Sequence, residues 1–188
     1  ELIDSGIDSF KIEGRMKTAL YVATVARTYR KAIDDYLESP ELYRKNMDWY
    51  LDQISNCTYR QFTTGFFFGK PDESAQIYDN NTYVKEYTYL GIIGECTADG
   101  LYRIEQRNKF SVGEQIEIMK PDGRNIPVVV RRIVDEEGQE MQSAPHPKQV
   151  LYIELAAAEN GALSGAEVSE QDNHAAELYD ILRRKEEE

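Results

Sequence analysis

Between Ser9 and Tyr36 the hydrophobic period of the chain changes once, from two residues to between three and four, and that change limits the folds open to it. Phe10 and Ile12 alternate with Lys11, Glu13 and Arg15, so a strand here puts two apolar side chains on one face and three charges on the other. From Ala19 the residues Val22, Ala23, Ala26, Tyr29, Ala32, Ile33 and Tyr36 follow at helical spacing. A strand that feeds directly into a helix, with charges gathered at its end, is the local layout of a (β/α) barrel, where strand ends carry the chemistry. One such unit is present, and a barrel needs about eight. The opening at Glu1, inside a helix-like ELIDSG segment, reads as a boundary within a longer protein.

After the first helix the chain restarts at Ser39-Pro40-Glu41, an N-cap followed by proline at the first helical position and an acid in the first turn. The pattern predicts a second helix over about residues 40–54, with Leu42, Met47, Tyr50, Leu51 and Ile54 on its apolar side. Residues 55–70 are rich in Thr, Gly and aromatics, and 71–81 are polar and turn-rich. Beyond Thr82 short β runs take over, at about 87–96, 101–106, 115–119, 126–134 and 149–155. Asp99-Gly100, Asp122-Gly123 and Glu137-Gly138 punctuate them as turns, and this spacing predicts a small antiparallel barrel. A last helix is expected over about 173–184, built on Ala176, Leu178, Tyr179, Ile181 and Leu182. The expected division is 1–72 for the strand–helix unit and its helices, 73–82 for a linker, 83–156 for the β-barrel, and 157–188 for a polar segment and the C-terminal helix. The fold class is α+β.

A hydrophobic fraction of 41% fits a soluble globular chain, and no apolar run approaches the roughly 18–20 residues of a membrane span. No signal peptide opens the sequence, so no membrane partner is expected. Cys57 and Cys96 stand in unrelated contexts without C-x-x-C spacing, which points to a reduced, cytoplasmic setting. The net charge is −12, and residues 1–80, 81–170 and 171–188 carry −3, −6 and −3. A phosphate-binding surface needs a basic excess. No region shows one, which places the main footprint of any RNA-binding parent outside these residues.

Arg60, Thr63, Thr64 and Gly65 form a candidate substrate-binding group, since adjacent hydroxyls beside a glycine suit an anion. The competing reading has Phe62, Phe66, Phe67 and Phe68 pin a linker while the threonines satisfy its backbone. His146 and His174 lack acidic or thiol partners at ligand spacing, so no metal site is expected. Cys57 reads as a buried, inert thiol. Tyr83, Tyr87, Tyr89, Tyr102 and Phe110 are candidates for base stacking, though Tyr is also a good strand former. Arg103, Arg107 and Lys109 are the nearest positive cluster, and strict alternation puts Arg131 and Arg132 on opposite faces.

The stretches SFKIEGRMK, YVATVARTYRKAID and RQFTTGFFFGKP, followed by YLGIIGE, IEQRNKFSVGEQIEIMKPDG and APHPKQVLYIEL, resemble the C-terminal part of the collagenase-like peptidase family U32 over about residues 2–155. The family's small C-terminal β-barrel in turn resembles the second domain of translation elongation factors. The resemblance implies a tRNA-modifying parent that converts the wobble uridine to 5-hydroxyuridine with prephenate as co-substrate. It also implies an iron–sulfur cluster on catalytic-barrel cysteines upstream of Glu1, so neither Cys57 nor Cys96 is assigned to it. In that setting Lys11, Glu13 and Arg15 become the catalytic candidates. Glu13 would orient or deprotonate a substrate, and Arg15 would hold a prephenate carboxylate as a bidentate pair. The alternative for these three is a structural ion-pair network. Alternatives for the whole are a collagenase-like protease, for which no Ser/His/Asp set, H-E-x-x-H or Cys–His pair is visible, and a non-catalytic binding module. The implied partners are tRNA and the upstream catalytic barrel, with self-association through the truncated N-terminal strand as a further expectation. No catalysis is expected of these 188 residues alone.

Overall fold

The computed structural model describes residues 1–57, 65–72, 87–158 and 176–186. Helix α1 (Ala19–Glu38) begins where the Thr18 hydroxyl accepts the Tyr21 N–H at 3.2 Å. It ends at Ser39, which immediately caps α2 (Pro40–Lys45) by accepting the Leu42 N–H at 3.0 Å. The single helix expected over 40–54 is in fact two. Asn46 (φ −93°, ψ 6°) breaks it, and α3 (Met47–Ser55) follows. The cause is a side-chain bond: Asn46 Nδ2 donates to Asp35 on α1 at 2.7 Å, and an Asn engaged in this way competes with helix continuation.

The N-terminal segment forms no strand among the described residues. Residues 8–13 make no backbone hydrogen bonds among the described residues, and the segment runs as unpaired chain into a turn at Arg15. Its alternation is right for a strand, but a strand needs a neighbour to satisfy its N–H and C=O groups.

Six strands close the barrel: β1 (Tyr87–Cys96), β2 (Tyr102–Gln106), β4 (Gln115–Met119), β5 (Asn125–Val134), β8 (Val150–Ala157) and β9 (Ile181–Lys185). Their order is β4-β9-β1-β2-β8-β5, and β5 pairs back onto β4, every pairing being antiparallel. The two-residue strands β3 (Phe110–Ser111) and β7 (Ser143–Ala144) pair with each other, and β6 (Glu140–Met141) pairs antiparallel with the end of β5. Leu90, Ile93, Ile104, Ile118, Val128, Val130, Ile133, Leu151, Ile153 and Leu182 fill the interior with no solvent exposure. Closure removes the open edges that such short strands would otherwise present.

The expected C-terminal helix is therefore a strand, and the barrel is not contained in 83–156. Residues 181–185 insert between β4 and β1 and complete it. Tyr179, at φ +75°, turns the chain into that strand. A bulge between Val130 and Arg132 overrides strict alternation as well, so Arg131 and Arg132 are both exposed.

The helices sit against one end of the barrel. Leu20 packs with Tyr89, Met119 and Ile181, and Arg27 donates to the Lys120 carbonyl at 3.0 Å. In the β4–β5 turn Gly123 (φ +99°) leaves room for Trp49: a Cβ there would lie 3.2 Å from the indole.

Candidate functional site

Lys11, Glu13 and Arg15 are all exposed. Glu13 folds back so that its carboxylate accepts the Arg15 N–H at 2.8 Å, which fixes the turn locally. Gly14 lets this turn lie against α1, since a Cβ there would come within 2.5 Å of Val22 Cγ2. The result is a charged loop beside the first turn of α1. No Lys11–Glu13 or Glu13–Arg15 side-chain ion pair forms among the described residues.

Of the second candidate group, Arg60, Thr63 and Thr64 lie outside the described residues, as do Phe62 and the expected linker from residue 73 on. Gly65 (φ +52°) opens an exposed turn that carries Phe66, Phe67 and Phe68 at 77%, 55% and 71% exposure. Those three rings are presented to solvent and pin nothing within the described residues.

An open groove of about 700 Å³ runs between α1 and α3, with Tyr29, Tyr43, Met47, Leu51 and Ile54 among its apolar walls. Beneath it the Asp35 carboxylate accepts from the Tyr50 hydroxyl, Asn46 and Lys31. Burial pushes this carboxyl up, but the three donors outweigh it and hold Asp35 below the ordinary carboxylate range. The same contact works on Tyr50, where burial and the Asp35 charge raise the phenol.

Three cations are buried where the helices meet the barrel. Arg27 donates to the Lys120 carbonyl, the Arg124 carbonyl and the Gln53 amide oxygen. Burial, aided by the nearby Arg183, lowers its pKa to about 10, which still leaves it charged at neutral pH. Lys120 meets Asp180 at 2.6 Å and Glu177 at 3.1 Å. Burial works against its charge, but these carboxylates raise its pKa overall. Arg183 pairs with Glu117 at 2.8 Å and lies 3.8 Å from the Tyr87 ring centroid. Sequence reasoning missed all three, because a buried Lys or Arg in one sequence looks like any surface cation.

The proposed base-stacking aromatics are structural. Phe110 is wholly buried, Tyr89 is buried, Tyr102 packs on the core, and Tyr87 lies under Arg183; Tyr83 is outside the described residues. His146 is exposed, and His174 lies outside the described residues. Both cysteines are free; Cys96 is exposed, while burial raises the Cys57 thiol away from the thiolate form that ligates metals. No group of three or more metal-ligating side chains forms among the described residues. A four-thiolate iron–sulfur cluster therefore does not fit the side chains of this chain.

Residues 1–77 match the family model described as Peptidase family U32, and residues 85–164 match that of the Peptidase family U32 C-terminal domain. The chain belongs to peptidase family U32. The U32 C-terminal match stops at residue 164, before the strand that closes this barrel. Among curated relatives, tRNA hydroxylation protein P1 of Bacillus subtilis is 36% identical over 156 residues, which is 82% of this chain and 37% of that protein. The tRNA hydroxylation protein P of Escherichia coli is 33% identical over 159 residues, 81% of this chain and 33% of that protein. This U32 chain thus spans about a third of the length of the curated relatives it matches. The crystal structure of the C-terminal domain of a Geobacillus thermoleovorans protein assigned to the U32 peptidases shares 25% identity, covering 53% of this chain and 92% of that one at a TM-score of 0.38. No helix among the described residues is long and apolar enough to cross a membrane.

Proposed function

We propose that this chain is the C-terminal part of a U32 protein that modifies tRNA, by prephenate-dependent 5-hydroxylation of the wobble uridine, with the barrel as its accessory binding domain. The observation that carries this reading is the 36% identity to a tRNA hydroxylation protein, which extends through both the helices and the barrel. In this reading Arg15 binds a substrate carboxylate, and Glu13 and Lys11 orient the same substrate. The groove between α1 and α3 and the exposed Phe66–Phe68 turn seat against the rest of the U32 catalytic region. That region supplies the thiolates of the implied cluster, in a reduced cytoplasmic setting that suits the free Cys57 and Cys96. The peptidase reading that the family name carries has less support. His146 has no carboxylate or thiol partner among the described residues, so no hydrolytic set is assembled there.

The test is a chimera in which this chain replaces the matching 156 residues of the Bacillus subtilis protein P1. Expressed in a strain lacking its own tRNA hydroxylation proteins, it is expected to restore 5-hydroxyuridine, measured by mass spectrometry of digested tRNA. A soluble, folded chimera that restores none counts against the reading.

A further inference from the structure

The chain carries a net charge of −12, yet one end of its barrel collects cations from three separate stretches of sequence. β2 ends at Gln106 and continues into Arg107, Asn108 and Lys109; Lys148 precedes β8; and β9 finishes with Arg184 and Lys185. Backbone contacts tie the three together. The Lys148 N–H donates to the Gln106 carbonyl at 2.8 Å, and Arg184 Nη1 donates to the Lys109 carbonyl at 3.3 Å. The Arg107 N–H donates to the Leu90 carbonyl at 2.7 Å, and Lys185 faces Tyr87 across the β1–β9 ladder. Lys148 holds φ +66°, a conformation a non-glycine side chain keeps only where the surrounding structure fixes it.

Two of these cations are already neutralised: Arg107 pairs with Glu105, and Arg184 with Glu114 at 2.8 Å. Lys109, Lys148 and Lys185 are exposed and make no side-chain contact among the described residues. Acids flank this cationic rim on both sides: the turn Asp135–Glu137 follows β5, one strand beyond β8, and Glu186, whose carboxylate accepts the Thr88 hydroxyl, directly follows Lys185.

The neighbouring wall adds a different chemistry. Leu151 and Ile153 point into the core, so Tyr152 between them points outward, half-buried, opposite Arg103 on β2 and Val134 on β5. Arg103 is exposed and likewise makes no side-chain contact among the described residues. Ammonium groups on a rigid rim next to an aromatic ring flanked by a guanidinium is the combination that holds single-stranded nucleic acid: cations track the phosphates, and the ring takes a base.

We propose that Lys109, Lys148 and Lys185 bind the phosphate backbone of an RNA single strand or loop, and that Tyr152, beside Arg103, stacks on one of its unpaired bases. The geometry supplies the place; the choice of RNA as polyanion rests on the tRNA reading above. The experiment is titration of the 188-residue chain with labelled unmodified tRNA between about 50 and 200 mM salt. The triple variant K109E/K148E/K185E is expected to lose at least about tenfold in affinity and about two to three units of the log–log salt slope. Tyr152→Ala should weaken binding by about fivefold or more with the slope unchanged. Lys45→Glu, on the exposed side of α2, should change neither. Equal binding by a folded triple variant, or no binding by the unaltered chain, overturns the proposal. So does heparin competing as well as RNA while Tyr152→Ala has no effect, since that leaves a general polyanion patch. If the chimera hydroxylates tRNA while the rim variants bind normally, only the rim assignment falls.

Discussion

The barrel and the helices in front of it are buried by different kinds of side chain. In the barrel the buried residues are mostly aliphatic, with Leu90, Ile93, Ile104, Val128, Leu151 and Leu182 fully excluded from water, and Thr88, Gln106, Lys120, Asp180 and Arg183 are the polar minority. In the helices the buried set is mostly polar: Thr24, Arg27, Thr28, Asp35, Gln53 and Asn56 stand against Leu20, Val25, Tyr50 and Cys57. Aliphatic burial contributes about 25 cal/mol per Å², whereas a typical hydrogen bond nets only about 0.5–1.5 kcal/mol. The barrel thus carries its own stability, and the helices are positioned on it by directional contacts. Their outer face keeps Tyr29, Leu37 and Leu51 at 47%, 67% and 61% exposure, the surface of a layer still open to another partner.

If that contrast holds, the largest effect comes from the smallest strand. Removing residues 176–188 takes β9 from between β4 and β1 and opens two edges at once. The expected outcome is loss of the cooperative melt and gain of hydrophobic-dye binding. Deleting residues 1–57 should leave a cooperative, if lower, melt. Identical behaviour of the two truncations breaks the comparison. A milder version is Leu182→Ala, expected to cost about 2–5 kcal/mol in chemical denaturation.

Lys120→Ala probes the seam between the two regions. Its partner Asp180 would remain buried without its cation, and breaking such a pair costs about 3–5 kcal/mol. Combining Lys120→Met with Asp180→Leu should recover much of that loss, because the penalty lies in the stranded charge. If Lys120→Ala costs less than about 1 kcal/mol, the seam is hydrated and the pair is a surface contact.

Acid should loosen the helices before the barrel. Asp35 has its carboxyl depressed by Tyr50, Asn46 and Lys31, so its contribution is fully present above its unfolded pKa of about 3.9. That contribution is lost as pH falls through the lower folded value. Tryptophan fluorescence, which reports Trp49 alone, should therefore shift as pH falls below about 4, at lower denaturant than the loss of hydrogen-exchange protection in the barrel strands. Asp35→Asn should cost about 1.5–3 kcal/mol at neutral pH and flatten this dependence. Coincident transitions by both probes across that range would show that the two regions unfold as one.

How legible these regions were follows from where their information resides. β1 and β4 are readable to the residue and β2, β5 and β8 nearly so, because alternation and Gly-containing turns are local signals. β9 was not: Ala176, Tyr179 and Leu182 fit helical spacing, and only the need for a sixth strand between β4 and β1 selects the extended form. The break at Asn46 depends on Asp35 eleven residues earlier, and the exposure of both Arg131 and Arg132 depends on a bulge set by pairing with β8. Residues 10–12 alternate as a strand does, yet pairing is a property of two segments, and the second is not among those described. The charges at Lys11, Glu13 and Arg15 were visible at once. That Gly14 folds them against α1 was not, since it rests on a contact with Val22.

Arg15→Ala should have the smallest effect on stability and is therefore the sharpest test of function. Its side chain is exposed and makes no ion pair among the described residues, so truncation should leave the melt within about 0.5 kcal/mol of the parent. The turn itself persists, because the Glu13 carboxylate is held by the backbone N–H of residue 15 and not by its guanidinium. In the tRNA-hydroxylating chimera, a lost charge-assisted pair of about 1.5–3 kcal/mol would lower kcat/KM for the carboxylate co-substrate by roughly tenfold or more. Arg15→Lys should restore only part of that loss, since an ammonium cannot reproduce a bidentate pair. Equal, small changes in melting temperature and turnover would return Arg15 to the ordinary surface, and the charged loop would then belong with the helices as a packing element.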